Sequence, residues 1–273
     1  MTGHSDSQRT ARRFTALVLA GTRPRGDPLA RASGVTHKAL VPLVGRAMLS
    51  HVVETLHHSK AVERIIVCGL GSALHENREL DSLLQSYDVK VFDGLATPSA
   101  SVVHVLERTP DCLPLLITTG DHPLLTPDIV DDFCQKSLAS DYDVTAAVVP
   151  ADLVRRAFPD SNRTYLRFRE RAYSGCNLFA LLTPAGFGAP AWWARIEQQR
   201  KRPWRMVMML GPAVLARFAF GRLSLATIEK YASRKMGLKA TAIVMSQPEA
   251  GYDVDTVDHL KVADAVLRSK AGG

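Results

Sequence analysis

Short, uninterrupted apolar runs punctuate the first half of the chain. Residues 15–20 (TALVLA) form the first, and similar runs recur at 65–69, 89–92, 113–118 and 144–149. A run of four to eight apolar residues without alternation is the mark of a strand buried on both faces. Between the runs the period changes. Leu49, Val52, Val53 and Leu56 fall at i, i+3, i+4, i+7 and share one helical face. Thr126-Pro127 offers a capping hydroxyl followed by proline at the first helical position, and it opens a second helix through Ile129, Val130 and Phe133. Strands alternating with helices at this rhythm predict βαβ units and a doubly wound, mostly parallel α/β sheet.

Beyond residue 160 the pattern loosens. Residues 164–168 and 174–182 read as strands, expected as antiparallel additions at the sheet edge. A stretch at about 190–237, broken by Pro203, Gly211-Pro212, Gly221 and Gly237, reads as a helical insertion. Residues 240–245 return to strand, and 256–267 close with a helix whose face carries Val257, Leu260, Ala263 and Leu267. The expected organisation is a disordered lead-in over 1–13, polar and basic with no apolar core of a signal peptide, then one domain over 14–273.

Composition narrows the function classes. With 273 residues, 46% of them hydrophobic, the chain can bury a substantial core. Its four cysteines are scattered without a CxxC pair, which argues against a zinc knuckle or disulfide framework and fits a reducing, cytoplasmic setting. No apolar run reaches the roughly eighteen residues that a membrane span needs. The net charge of +7 admits nucleic acid, an anionic membrane or a polyanionic small substrate as partner. No nucleic-acid-binding module is visible, so nucleic acid is set aside. Much of the excess lies between Arg195 and Arg222, where Glu197 is the only acid.

Ligands of open α/β sheets bind beyond the carboxyl ends of the strands, and three segments fall there. The first is Ala20-Gly21-Thr22-Arg23-Pro24-Arg25-Gly26 with Thr36-His37-Lys38 downstream. Its small residues let backbone N–H groups approach phosphate oxygens, and its cations can neutralise a triphosphate. An ordinary surface loop with solvated charges reads the same way. The second is Thr119-Gly120-Asp121-His122-Pro123-Leu124, where Asp121 follows a buried strand. A hard carboxylate oxygen there suits Mg²⁺, although Gly-Asp also makes turns. The third is Tyr252-Asp253-Val254-Asp255-Thr256, immediately before the last helix. Asp255 fits a helix N-cap, yet two acids at i, i+2 on extended backbone face one way and call for a cation between them.

Together the three segments resemble the MobA-like NTP transferases, within the GT-A-type nucleotidyltransferases. Val18-Leu19-Ala20-Gly21 with Arg25 and Lys38-Ala39-Leu40 is similar to the family's opening loop. Val44-Gly45-Arg46-Ala47-Met48-Leu49 matches its G-x-x-M/L-L turn into a helix. Asp121-His122-Pro123-Leu124 matches the context of its metal-binding aspartate, and the run Asp253 to Leu260 that of its second metal ligand. The resemblance implies a nucleotide site at Leu19, Ala20, Gly21, Thr22, Arg23, Arg25, Lys38, Ser101 and Gly120, with Mg²⁺ on Asp121 and Asp255. Ser101 enters because residues 98–102 fall where relatives contact the base. Either Arg23 or Arg25 can be the family arginine, and spacing favours Arg25.

The implied activity joins the nucleoside monophosphate of an NTP, CTP slightly before GTP, to a phosphorylated acceptor. Arg25, Lys38, Asp121 and Asp255 would carry the chemistry, and an acceptor phosphate needs no general base. Asn177 is a candidate acceptor contact and reads equally as a polar group within a strand. The block at 190–237 has no counterpart in the family pattern. Arg202 and Arg205, among its Trp and Met residues, are expected at the acceptor, with peripheral contact to an anionic membrane as the sharper reading and a helical layer with a solvated basic face as the plainer one. The alternatives are a non-catalytic nucleotide- or phosphate-sensing module of the same fold, from another class, and a nucleotidyltransferase acting on a lipid-linked phosphate at the membrane surface. Gly69-Leu70-Gly71-Ser72 lacks the third glycine of a dinucleotide fingerprint, and no P-loop exists.

Overall fold

A computed structural model describes residues 12–22, 26–159, 163–199 and 211–271. The expected lead-in lies outside them except for its last two residues. Strands β1 (Phe14–Leu19), β4 (Val62–Cys68), β5 (Lys90–Phe92), β6 (Leu115–Thr119), β7 (Val144–Pro150), β9 (Ala172–Leu181) and β10 (Ala240–Val244) form one sheet in the order β10-β7-β9-β6-β1-β4-β5. A short β8 (Leu166–Arg167) pairs antiparallel with β9. Every apolar run named from the sequence is a strand, and every pairing among β1, β4, β5 and β6 is parallel. The mixed, mostly parallel α/β sheet is therefore as the pattern predicts.

One placement differs. β9 is antiparallel to both β6 and β7 and lies between them, in the interior of the sheet rather than at its edge. Its outer neighbours β7 and β10 are parallel to each other, so the edge on that side is the parallel strand β10. Continuous burial could not reveal this, because Ser174-Gly175-Cys176-Asn177 interrupts the apolar pattern of the most central antiparallel strand.

Helices cover both faces. Along β1, Phe14, Ala16 and Val18 point into one apolar layer and Leu17 and Leu19 into the other. The first layer is closed by α2 (Met48–His58), whose Leu49, Val52, Val53 and Leu56 are fully buried, and by α5 (Pro127–Ala139). Thr126 caps α5 by accepting the Ile129 N–H at 3.3 Å. The last helix, α10 (Val257–Ala271), also faces this layer through Ala263, Leu260 and Leu267, but Val257 is exposed instead of lying on the apolar face. The second layer is closed by α4 (Pro98–Arg108) and α7 (Gly188–Gln199). The expected helical block continues, among the described residues, as α8 (Pro212–Ala219) and α9 (Leu225–Met236).

Between β1 and α2 a short hairpin, β2 (Pro42–Leu43) and β3 (Arg46–Ala47), turns at Val44 and Gly45, both with positive φ. Such a turn matches the twist of its strands. It aims the chain from Lys38 into α2 without a helix cap.

Candidate active site

The carboxyl ends of β1, β4, β5 and β6 converge because glycine allows it. A Cβ on Gly69 would stand 2.5 Å from the Gly21 nitrogen, and one on Gly94 would stand 2.8 Å from the Gly69 Cα. The loops after β1, β4 and β5 are thus stacked backbone on backbone. Gly69 belongs to the segment that weakly suggested a dinucleotide motif, and close packing under Gly21 is its observed place. Gly120 N–H donates to the Leu19 carbonyl at 3.0 Å and Ala20 N–H to the Cys68 carbonyl at 2.8 Å, continuing the ladder beyond the strands.

Leu19, Ala20, Gly21, Lys38, Gly120 and Asp121, joined by Ala39 and Met48, line one small cavity of ≈ 30 Å³. Lys38 begins a single 3₁₀ turn (Lys38–Leu40) capped by His37, whose Nδ1 accepts the Ala39 N–H at 3.1 Å. Burial holds the His37 imidazolium pKa down, in keeping with an unprotonated, accepting Nδ1.

The Lys38 ammonium stands between two carboxylates, 2.5 Å from Asp121 Oδ2 and 2.7 Å from Asp255 Oδ1. Burial alone would depress the Lys38 pKa, but Asp121 and then Asp255 outweigh it and hold it above the ordinary value. These residues lie far apart in sequence and are fixed by backbone. Val254 N–H donates to the Asp121 carbonyl at 2.8 Å, stitching the last loop to the loop after β6.

The i, i+2 acids of the last loop do not share one cation. Asp255 faces Lys38, while Asp253 turns inward to the Arg163 guanidinium. Thr256 accepts the His259 N–H at 3.2 Å and caps the start of the last helix. Arg163 also lies over the Tyr252 ring at 5.8 Å. No motif surrounds Arg163 in the sequence, and only the fold brings it beneath the site. His122 is wholly buried beside this pair, and burial lowers its imidazolium pKa despite Asp253 and Asp121. Burial likewise pushes the Cys176 thiol up to about 12, which marks it as inert packing.

Other expected positions separate from this cluster. Thr22 is exposed at the rim of the first loop. Ser101 is buried in α4, its hydroxyl accepting the Leu95 N–H at 2.9 Å, so it shapes the loop after β5 and does not face the small cavity. Asn177 is half-buried where β9 bulges: Ile117 pairs with Phe179, and the β7 register slips between Ala146 and Val148. That register carries Asn177 toward the end of β6 and the Asp121 loop. Arg23, Arg25, Arg202 and Arg205 lie outside the described residues.

Two carboxylates suit Mg²⁺, which is commonly held by one or two protein carboxylates and completed by substrate phosphates. Among the described residues no cluster of three or more metal-ligating side chains exists. Asp121 Oδ1 is buried without a hydrogen-bond partner among the described residues, and the space beside Oδ2 already holds a cationic group. The donor set therefore fits a hard cation that arrives with phosphate ligands.

The class is thus a doubly wound α/β domain with a lysine and two carboxylates converging beyond its carboxyl edge. The profile of the MobA-like NTP transferase domain matches residues 16–202, and the chain belongs to that family. A 2-C-methyl-D-erythritol 4-phosphate cytidylyltransferase of Frankia casuarinae is 31% identical over 176 residues, 64% of this chain and 60% of that protein. A bifunctional protein GlmU of Mycobacterium tuberculosis is 32% identical over 145 residues, 48% of this chain and 26% of its own length. The chain thus spans less than two thirds of these curated relatives. A hypothetical transferase structure from Thermus thermophilus superposes with a TM-score of 0.76 at 31% identity, covering 91% of this chain and 99% of that one. The fold is also that of a CMP:2-keto-3-deoxy-manno-octonic acid synthetase complexed with CTP (TM-score 0.54, 14% identity, 94% and 98% covered). Among the described residues no helix is long and apolar enough to cross a membrane.

Proposed function

We propose that the protein transfers the nucleoside monophosphate of an NTP to a phosphorylated small-molecule acceptor and releases pyrophosphate. The observation that carries this is Lys38 poised between Asp121 and Asp255 at the edge where the β1 loop closes on β6. An acceptor phosphate oxygen bonds to the α-phosphorus while the bridging bond to the β-phosphate breaks, and its electron pair leaves with pyrophosphate. The acceptor oxygen is already anionic near neutral pH, so positioning and charge neutralisation supply the rate.

Each residue then has a physical task. Asp121 and Asp255 would hold Mg²⁺, which, when bound, neutralises phosphate oxygens and orients them. Gly21, exposed beside the small cavity, offers its backbone to the triphosphate. The Ala20 and Gly120 N–H groups are held by the Cys68 and Leu19 carbonyls and fix the cradle around it. Lys38 turns from the carboxylates to the phosphates, and Arg25 in the same loop adds a second cation. Asn177 on the β9 bulge offers its amide to the acceptor. CTP is the favoured NTP, supported by the cytidylyl enzymes among relatives and fold neighbours, with GTP second.

Pyrophosphate release should therefore appear with one NTP of a four-nucleotide panel when Mg²⁺ and a phosphorylated acceptor are present. NTP binding without release under any acceptor would favour the sensing module instead. A peripheral membrane role rests on one separate feature: exposed Phe218 and Phe220 beside the exposed Arg217, Arg222, Lys230 and Arg234. Salt-sensitive co-sedimentation with anionic vesicles tests that contact.

A further inference from the structure

The sheet's second face is unevenly covered. On β7, Thr145, Ala147 and Val149 are buried on one side, whereas Val144, Ala146 and Val148 on the other are only half-buried. Above those three residues lies a cavity of ≈ 440 Å³, roofed by α7 and α9 and floored by β6, β9, β7 and β10. Gly175, although paired to Val148 within the sheet, is exposed, and a Cβ built on it meets nothing within 4 Å.

The wall chemistry limits what can fill this space. It is aliphatic and aromatic, with the Phe179 and Trp193 rings 4.9 Å apart on one side. Its carboxylate, Glu229, is already engaged: Oε1 accepts the Thr241 hydroxyl at 3.0 Å and the Ala242 N–H at 2.8 Å. A sugar or pterin buried here would lose water from several hydroxyl or amide groups and find few partners among the described residues. A hydrocarbon loses nothing of the kind.

Position supplies the rest. The cavity runs along the strands to Val148 and Tyr173, at the carboxyl end of β7, and Ile117 in its wall lies four residues before Asp121 on β6. Neighbouring strands stand about 4.8 Å apart, so β9 and β7 are one and two spacings from the strand that presents Asp121. A chain lying in the cavity reaches that edge with its head group.

We propose that this cavity binds the hydrocarbon part of the acceptor, making the acceptor a phosphomonoester of an apolar alcohol, alkyl or isoprenoid in type. The inference rests on the nucleotidyl-transfer reading of the Lys38–Asp121–Asp255 site and assigns its acceptor class.

A homologous series of monomeric alkyl phosphates, from methyl to decyl, tests it in two arms with the full-length protein. In the first arm, equilibrium binding is measured by calorimetry without NTP. Affinity should rise about fourfold per added methylene until the cavity is filled, from ~0.8 kcal/mol per buried methylene. Gly175→Leu projects into the open space without a forbidden backbone angle. It should keep the native melting temperature and abolish most of the chain-length gain. Affinity independent of chain length, or a gain that survives in Gly175→Leu, overturns the proposal. Should Gly175→Leu lose its cooperative melting transition, Ala232→Phe on the α9 roof serves as the second filling variant under the same criterion. In the second arm, nucleotidyl transfer to the same series is followed with CTP and Mg²⁺. Transfer to methyl phosphate with no preference for longer chains sinks the cavity assignment alone. Chain-length-dependent binding with no transfer from any NTP sinks the transferase reading on which the acceptor role depends.

Discussion

Replacing Lys38 by methionine should make the free protein less stable and more responsive to Mg²⁺. The side chain is 12% exposed, Asp121 20% and Asp255 46%. Removing one partner of a fully buried ion pair costs ~3–5 kcal/mol because the other charge is stranded, whereas exposed pairs contribute ~0–1 kcal/mol. The Lys38–Asp121 contact sits toward the first limit and Lys38–Asp255 toward the second, while methionine keeps the aliphatic stem packed. A loss of about 2–3 kcal/mol results, which for a chain of this size is a melting temperature lower by roughly 4–10 °C. In the variant the two carboxylates lose the ammonium that stands between them. Mg²⁺ alone should then restore up to about 2.7 kcal/mol at a hundredfold excess over its Kd, a larger gain than in the native protein, where the ammonium competes for the same oxygens. Differential scanning fluorimetry in EDTA and in a Mg²⁺ series reads both effects without turnover. Equal Mg²⁺ shifts in the two proteins, or a variant as stable as the native chain in EDTA, would refute the shared position of ammonium and metal.

Two further changes probe the scaffold under the site. Gly69→Ala should cost at least ~2 kcal/mol and abolish NTP-induced thermal stabilisation, because its Cβ meets the Gly21 backbone at 2.5 Å and its φ of +116° suits only glycine; an intact NTP shift would show that the stacked loops do not form the nucleotide cradle. Arg163→Met should loosen Asp253 and with it the loop bearing Asp255, weakening Mn²⁺ binding by about tenfold in paramagnetic relaxation titrations, with Lys in its place recovering part of the loss; unchanged Mn²⁺ affinity would make the pair purely structural.

How far the sequence foretells this molecule depends on what signal each part leaves. The buried parallel strands are legible because β1, β4 and β6 are covered on both faces over most of their length and so carry near-continuous apolar runs, with polar residues confined to Thr15, Glu63, Arg64, Thr118 and Thr119. The α2 face is legible for the opposite reason, its period of 3.6 recording one buried side. β9 hides its central place because Ser174, Gly175 and Asn177 break the apolar run where it bulges toward the site and lines an open cavity. Lys38, Asp121 and Asp255 are readable as family motifs, and the geometry brings them within one salt-bridge distance. Asp253 and Asp255 look equivalent in sequence, yet Arg163, ninety residues upstream of Asp253 in a loop without pattern, separates their roles. Gly69 illustrates the converse: a glycine that suggested a ligand motif is required by another backbone.

The central claim is that this site moves a nucleoside monophosphate, and that Asp121 is needed to do so. The direct measurement incubates the native protein and Asp121→Asn with Mg²⁺, a phosphorylated acceptor and CTP carrying its label on either the α- or the γ-phosphate. Removal of one carboxylate oxygen's charge from a 20% exposed side chain should leave the melting transition cooperative. The account predicts that α-label enters the acceptor conjugate, γ-label leaves as pyrophosphate, and Asp121→Asn lowers the transfer rate by a factor on the order of a hundred or more. Label passing from the γ-position to the acceptor, or near-native transfer by a folded Asp121→Asn protein, would contradict it.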